Sequence, residues 1–182
     1  MKEKKFISAR ELLILSFELA RKIWDDGYRP THLLGVWRGG TPIAIAVEEF
    51  FFASGHRCLH EPVKTSRRLL PGGGFEIEIS GLERLVAKMS RESRVLFIDD
   101  IFDTGLTMEA LARQTRKLSR SSPEIKIATL FYKPAQKRTD VEPDYYVEKT
   151  SAWLVFPHEI SGLSPEELRE NKPELYDFFP AK

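Results

Sequence analysis

An α/β domain with a mostly parallel, twisted sheet flanked by helices is the fold class this sequence predicts. Short apolar runs at His32–Trp37, Arg94–Ile98 and Ile125–Tyr132 alternate with amphipathic helical stretches. Each run ends on abrupt punctuation: Arg38-Gly39-Gly40, Asp99-Asp100 and Lys133-Pro134. The 182 residues suit one domain with a real core.

The elements follow in order. Ser8 and Glu11 have capping-box spacing, so a helix starts there; Leu12, Leu15, Leu19 and Ile23 give its apolar stripe, and Gly27 with Pro30 ends it. His32–Trp37 reads as a buried strand. Pro42 in a first-turn position and Ile43 to Phe52 then predict a helix. Between Cys58 and Ile79 short extended pieces surround Arg67, Arg68, Pro71 and Gly72-Gly73-Gly74, which predicts a mobile hairpin or loop over residues 62–76. Phe75 to Ile79 alternates like a half-exposed strand, and Leu82 to Met89 reads as helix. Arg94 to Ile98 is a strand, Asp99 to Gly105 a loop and Thr107 to Leu118 a helix. Further strands are predicted at Ile125 to Tyr132, Asp144 to Val147 and Ala152 to Phe156. Ser164-Pro165-Glu166-Glu167 opens a last short helix. In open parallel sheets ligands bind beyond the carboxyl ends of the strands, so the ends at Arg38, Asp99 and Lys133 are where a site is sought.

Composition narrows the function classes. The 28 basic and 27 acidic residues nearly balance, which argues against a nucleic-acid partner. Cys58 is the sole cysteine, so no internal disulfide and no Cys/His metal cluster can form, as in a reducing compartment. The amphipathic start lacks the apolar core of a secretion signal, and no apolar run is long enough to span a bilayer. A cytoplasmic protein without membrane association is expected.

The segment Val95 to Thr107 (VLFIDDIFDTGLT) carries the chemistry. A buried strand delivers Asp99 and Asp100, a tight loop adds Asp103, Thr104 and Gly105, and a helix then begins. Free amides at a helix N-terminus attract anions. Gly105 lets the backbone turn closely round a phosphate, and Thr104 and Thr107 add hydroxyl donors. Asp99 and Asp100 repel phosphate but accept from ribose hydroxyls, and their oxygens suit a hard divalent cation. One segment thus offers a phosphate cradle beside a sugar-diol clamp. The ending is not a Walker loop, since Gly-Lys-Ser/Thr is missing.

This run resembles the 13-residue signature of the type I phosphoribosyltransferases, and other features are similar to their 6-oxopurine branch, the hypoxanthine-guanine and xanthine-guanine enzymes. The resemblance implies that family's fold, with a small hood made from the chain ends and residues 144–182, in a single domain over 1–182. It implies transfer of ribose 5-phosphate from phosphoribosyl pyrophosphate to hypoxanthine, guanine or xanthine, in purine salvage. Trp37-Arg38-Gly39-Gly40 looks like the pyrophosphate loop, with a cis Trp37–Arg38 peptide. Lys133 would face the purine O6, Trp153 would stack on the base and Leu154 would meet its edge. Leu106, with Thr104, Gly105 and Thr107, would hold the 5-phosphate. Asp103, Arg38 and Lys133 are the implied catalytic residues. Asp100 and Glu159 are the implied Mg²⁺ ligands, although the family has Asp where Glu159 stands. The loop usually carries a Ser-Tyr pair; here Lys64-Thr65-Ser66-Arg67-Arg68 leaves open which arginine closes over pyrophosphate. Relatives form dimers or tetramers, which implies a homo-oligomer. Two alternatives stay open: a regulator of the same fold that senses phosphoribosyl pyrophosphate, and a phosphoribosyltransferase for a pyrimidine or other base.

Overall fold

The computed structural model describes residues 4–119 and 121–179. The chain divides into a larger unit, Leu13–Ser151, and a smaller one made of Met1–Leu12 and Ala152–Lys182.

The larger unit is a six-stranded sheet. Its strands are β2 (His32–Trp37), β3 (Leu59–Leu69), β4 (Phe75–Ser80), β5 (Arg94–Phe102), β6 (Glu124–Tyr132) and β7 (Tyr145–Lys149), in the order β4-β3-β2-β5-β6-β7. All pairings are parallel except β3 with β4. The sheet is buried on both faces, so its central strands read as continuous apolar runs rather than alternating ones. On one face Leu34, Val36, Val95, Phe97 and Ile127 form a core with Leu82 and Leu85 of α3 (Leu82–Val86) and Met108 and Leu111 of α4 (Leu106–Leu118). On the other face α2 (Gly40–Ala53) packs on β2 and β5. The approach is close: a methyl group on Gly35 would lie 2.8 Å from the Ala44 Cβ. Trp24 of α1 (Ala9–Asp25) meets Phe50 and Phe51 of α2 edge-on or tilted, at 6.0 and 5.7 Å.

Three expectations are sharpened or corrected. Of the hairpin or loop expected at residues 62–76 the hairpin forms, antiparallel and with an eleven-residue first strand. Its turn closes through Leu70 N–H to the Gly74 carbonyl at 3.2 Å, with all three turn glycines at positive φ. Alternation at Phe75 to Ile79 signalled the second strand, but the first, Leu59–Leu69, is largely polar, so its length could not be read from an apolar pattern. Second, β5 runs on to Phe102, so Asp99 and Asp100 belong to the strand and not to a loop; pairing of Asp99 with Thr129 and of Phe102 with Tyr132 on β6 extends it. Third, Tyr145–Lys149, placed by sequence in the hood, is the edge strand of the main sheet, because Tyr145 to Lys149 pair with Ala128 to Tyr132.

The smaller unit holds β1 (Lys4–Phe6) and β8 (Trp153–Val155), paired in parallel, then α5 (Pro165–Asn171) and α6 (Pro173–Tyr176). Residues 180–182 of the expected hood lie outside the described residues. The strand at β1 carried no sequence signal, being only three residues long; the strand expected at Ala152 to Phe156 forms, but outside the main sheet. The predicted cap is present: Ser164 Oγ accepts from the Glu167 amide at 3.2 Å, and Glu167 accepts from the Ser164 amide at 3.0 Å. At the helix junction the buried Lys172 ammonium donates to the carbonyls of Phe156 (2.6 Å), Pro157 (3.2 Å) and Glu159 (2.7 Å). Burial pulls its pKa down, and those three dipoles compensate the charge. Replacing Lys172 by Met leaves the carbonyls without their donor; the expected loss is about 1–3 kcal/mol, read as a lower urea midpoint and faster amide exchange across residues 153–159.

Candidate functional site

The strand ends singled out by sequence are neighbours. Gly35 of β2 is paired with Ile98 of β5, and Asp99 of β5 with Thr129 of β6. The parallel order β2-β5-β6 therefore brings the Arg38 turn, the acidic pair and Lys133 to one edge of the larger unit.

The turn after β2 carries a cis Trp37–Arg38 peptide, as the resemblance implied. Neither glycine behind it has a positive φ; both are needed for space. A methyl group on Gly39 would collide with the Asp100 carboxylate, and one on Gly40 with the carbonyl oxygen of Ile98. The turn thus lies directly on the end of β5, and the Gly40 amide donates to the Asp99 carboxylate. Trp37 and Arg38 are exposed. Just beyond, the Thr41 hydroxyl is buried with no hydrogen-bond partner among the described residues. Threonine in a first turn has many ordinary explanations, so sequence gave no reason to select it.

Asp100 is 9 % exposed and Asp99 is half-buried. The Asp100 amide donates to Asp99 Oδ1 at 3.0 Å. Burial, and next the Asp100 charge, hold the Asp99 carboxyl well above the ordinary carboxylate range, against the opposing pull of the Asp100 and Gly40 amides. Two adjacent carboxylates in this setting favour a proton, a cation or hydroxyl donors between them.

The loop that follows is three residues long. Gly105 sits at φ +84° and turns the chain into α4, while Leu106 N–H lies 3.5 Å from Thr104 Oγ1. Gly105 also leaves no room for a side chain, which would meet Phe102 Cζ at 2.9 Å and the Thr139 hydroxyl. The first-turn amides of α4 lack intrahelical acceptors and favour an anion. A cavity of about 230 Å³ opens here, lined by Asp99, Asp103, Thr104, Gly105 and Thr107 and, from the hairpin, Arg67. A larger, open groove of about 990 Å³ runs between β4 and α4, but touches none of the aspartates. The smaller cavity is the candidate site because its lining matches anion and sugar chemistry.

The hairpin separates the two arginines. Arg68 is engaged by Glu76 and, at 3.0 Å, by Glu78, which with Glu76 raises its pKa. Arg67, on the alternate side of the strand, reaches the cavity and lies 4.9 Å from the Phe75 ring centre.

Lys133 is 6 % exposed, forms no ion pair among the described residues, and donates its backbone N–H to the Phe102 carbonyl at 2.9 Å. Gln136, two residues past Pro134, was not selected by sequence. The end of its side chain lies against both oxygens of Asp103, and with the amide nitrogen turned toward them, as two acceptor oxygens require, it donates at 2.5 and 3.2 Å. A glutamine in a turn carries no local signal of this; only the fold brings it to the aspartate.

Trp153, Leu154 and Glu159 lie in the smaller unit. Trp153 is 57 % exposed and Leu154 buried. The Glu159 carboxylate accepts from the Phe156 amide at 3.1 Å, and no cluster of three or more potential metal ligands occurs among the described residues. No described helix is long and apolar enough to cross a membrane.

Comparison with known proteins agrees with this geometry. The model of the phosphoribosyl transferase domain matches residues 7–164. A hypoxanthine-guanine phosphoribosyltransferase of Staphylococcus epidermidis is 33% identical over 107 residues, spanning 57% of this chain and 55% of that protein, so just over half of that relative's length is matched. The corresponding protein of Lactococcus lactis is 26% identical over 96% of this chain and 94% of its own length. The crystal structure of a purine phosphoribosyltransferase from Pyrococcus horikoshii superimposes with a TM-score of 0.70 at 30% identity, covering 89% of this chain and 97% of that one. With the signature strand, the glycine-backed turn and the family model in agreement over most of its length, the chain belongs to the phosphoribosyl transferase domain family.

Proposed function

We propose that this protein transfers ribose 5-phosphate from phosphoribosyl pyrophosphate to a ring nitrogen of a 6-oxopurine, hypoxanthine, guanine or xanthine, releasing pyrophosphate. The observation that carries the reading is the direct contact of the Gly39-Gly40 turn with Ile98 to Asp100, which sets an exposed Arg38 beside the acid pair and the anion-favouring start of α4. In the reaction the C1–oxygen bond to pyrophosphate breaks, a C1–nitrogen bond forms and the purine loses a proton. Positioning, charge stabilisation and exclusion of water carry such a reaction without a protein nucleophile.

The residues take these roles. Thr104, Gly105, Leu106 and Thr107 hold the 5-phosphate through amides and hydroxyls. Asp99 and Asp100 accept from the ribose diol. Arg38 and the amides of Gly39 and Gly40 receive pyrophosphate, with Arg67 meeting it from the hairpin, which serves as a lid. Asp103 takes the purine proton. The Lys133 ammonium donates to the purine O6, which selects oxopurines over aminopurines. Trp153 and Leu154 offer a flat face and a backbone edge to the base. Their assignment rests on the family resemblance, as does a homo-oligomeric state and a cytoplasmic setting. The single thiol, Cys58, agrees with the last of these: burial pushes it up to about 11, so it stays protonated and unreactive.

The acid pair suits Mg²⁺, because a hard cation prefers carboxylate oxygen and would offset the burial and the Asp100 charge that together raise Asp99. Asp100 is the ligand this reading depends on, since Glu159 commits one oxygen to the Phe156 amide. Bound Mg²⁺ supplies neutralising charge to the pyrophosphate oxygens.

Purified protein given phosphoribosyl pyrophosphate, Mg²⁺ and single bases is expected to form nucleotide from at least one oxopurine and far less from adenine. Binding of phosphoribosyl pyrophosphate without turnover of any base would instead mark a sensor. Asp103→Asn is expected to lower kcat by about 100-fold or more while the Kd for phosphoribosyl pyrophosphate barely moves; equal losses in both would remove Asp103 from proton transfer. Arg67→Ala should raise the KM for phosphoribosyl pyrophosphate roughly tenfold, whereas Arg68→Ala, which breaks only exposed ion pairs, leaves it nearly unchanged.

A further inference from the structure

We infer that Gln136 is a positioning residue for Asp103, setting the direction of its carboxylate. The inference rests on the reading of Asp103 as the group that takes the purine proton.

The geometry begins with the backbone. Pro134–Gln136 forms one turn of 3-10 helix after β6, closed by Gln136 N–H to the Lys133 carbonyl at 3.0 Å. The same segment grips the signature loop on both sides of Asp103. Lys133 N–H donates to the Phe102 carbonyl at 2.9 Å, and Arg138 N–H to the Thr104 carbonyl at 2.9 Å. Between those two carbonyls lie Asp103 and Thr104. The backbone is thus held just before Asp103 and again after Thr104, and the Asp103 side chain is met by the Gln136 amide at 2.5 and 3.2 Å.

A neutral amide donor is well chosen for this place. It can hold both carboxylate oxygens by hydrogen bonding but brings no charge that would pair with a proton acceptor. The charged groups around Asp103 are few. Arg67 of β3 and Asp99 of β5 share its cavity. Lys133 and Arg138 flank it on the gripping segment, while Lys137 is paired with Glu142 at 2.6 Å. Without Gln136 the carboxylate would be free to rotate toward Arg67, and its orientation toward a base would no longer be fixed.

The test separates orientation from binding. In Gln136→Leu, kcat for oxopurine transfer should fall about tenfold while the KM for phosphoribosyl pyrophosphate changes less than about twofold. Gln136→Glu, which keeps the shape and sets a carboxylate against Asp103, should lose at least as much in kcat, and it serves if the Leu variant does not fold. A crystal structure of the variant should show the Asp103 carboxylate turned from its wild-type direction. An unchanged kcat and carboxylate direction in both variants, or a KM that rises as much as kcat falls, overturns the inference. Wild-type protein that converts no oxopurine would sink the functional reading; the direction of the Asp103 carboxylate in the variant would still decide, by itself, whether Gln136 positions it.

Discussion

At the carboxyl ends of β2 and β5 two backbones meet with no side chain between them. Gly39 lies against the Asp100 carboxylate and Gly40 against the Ile98 carbonyl. Everything else in the candidate site is placed from this contact. It sets the Arg38 turn beside the acid pair, it lets the Gly40 amide reach Asp99, and it fixes where α2 starts, hence how α2 covers β2 and β5. Close packing admits no substitute, because even a methyl group here must push aside a carboxylate or a carbonyl.

The contact has an electrostatic consequence. Asp99 and Asp100 are adjacent on a strand and poorly hydrated, so their charges cannot be dispersed into water. Two amides oppose the repulsion but do not cancel it. A surface that so resists holding two negative charges favours hydroxyl donors or a cation, next to a helix start whose amides favour an anion. Opposite preferences within one short segment are what a sugar phosphate requires, since it presents hydroxyls and phosphate a few ångströms apart.

A second set of contacts makes the loop rigid. Residues Lys133 to Thr139 run along Phe102 to Gly105, bonding two of its carbonyls, the Asp103 carboxylate and the space over Gly105. The base-facing lysine and the proton-accepting aspartate of the proposed mechanism are therefore parts of one hydrogen-bonded unit. The hairpin adds a cation from a third direction: cross-strand glutamates hold Arg68 and leave Arg67 to the cavity.

The amino-acid sequence by itself determined the order of the main-sheet strands and their helices, the caps at Ser8 and Ser164, and the acidic, threonine- and glycine-bearing run Val95 to Thr107 on which the phosphate-and-diol reading rests. Each of these depends on residues within a turn or two of one another, so period, cap and punctuation record them. Tertiary structure decided the rest. The length of β5 through Asp99 and Asp100 comes from pairing with β6, and the place of Tyr145–Lys149 in the main sheet comes from that same neighbour. Choosing Arg67 over Arg68 required the hairpin register and its glutamates. Gln136 meets Asp103 only because the turn after β6 folds back on the signature loop. These depend on contacts between segments tens of residues apart, and a side chain's own neighbours in sequence carry no trace of which distant group the fold will set against it.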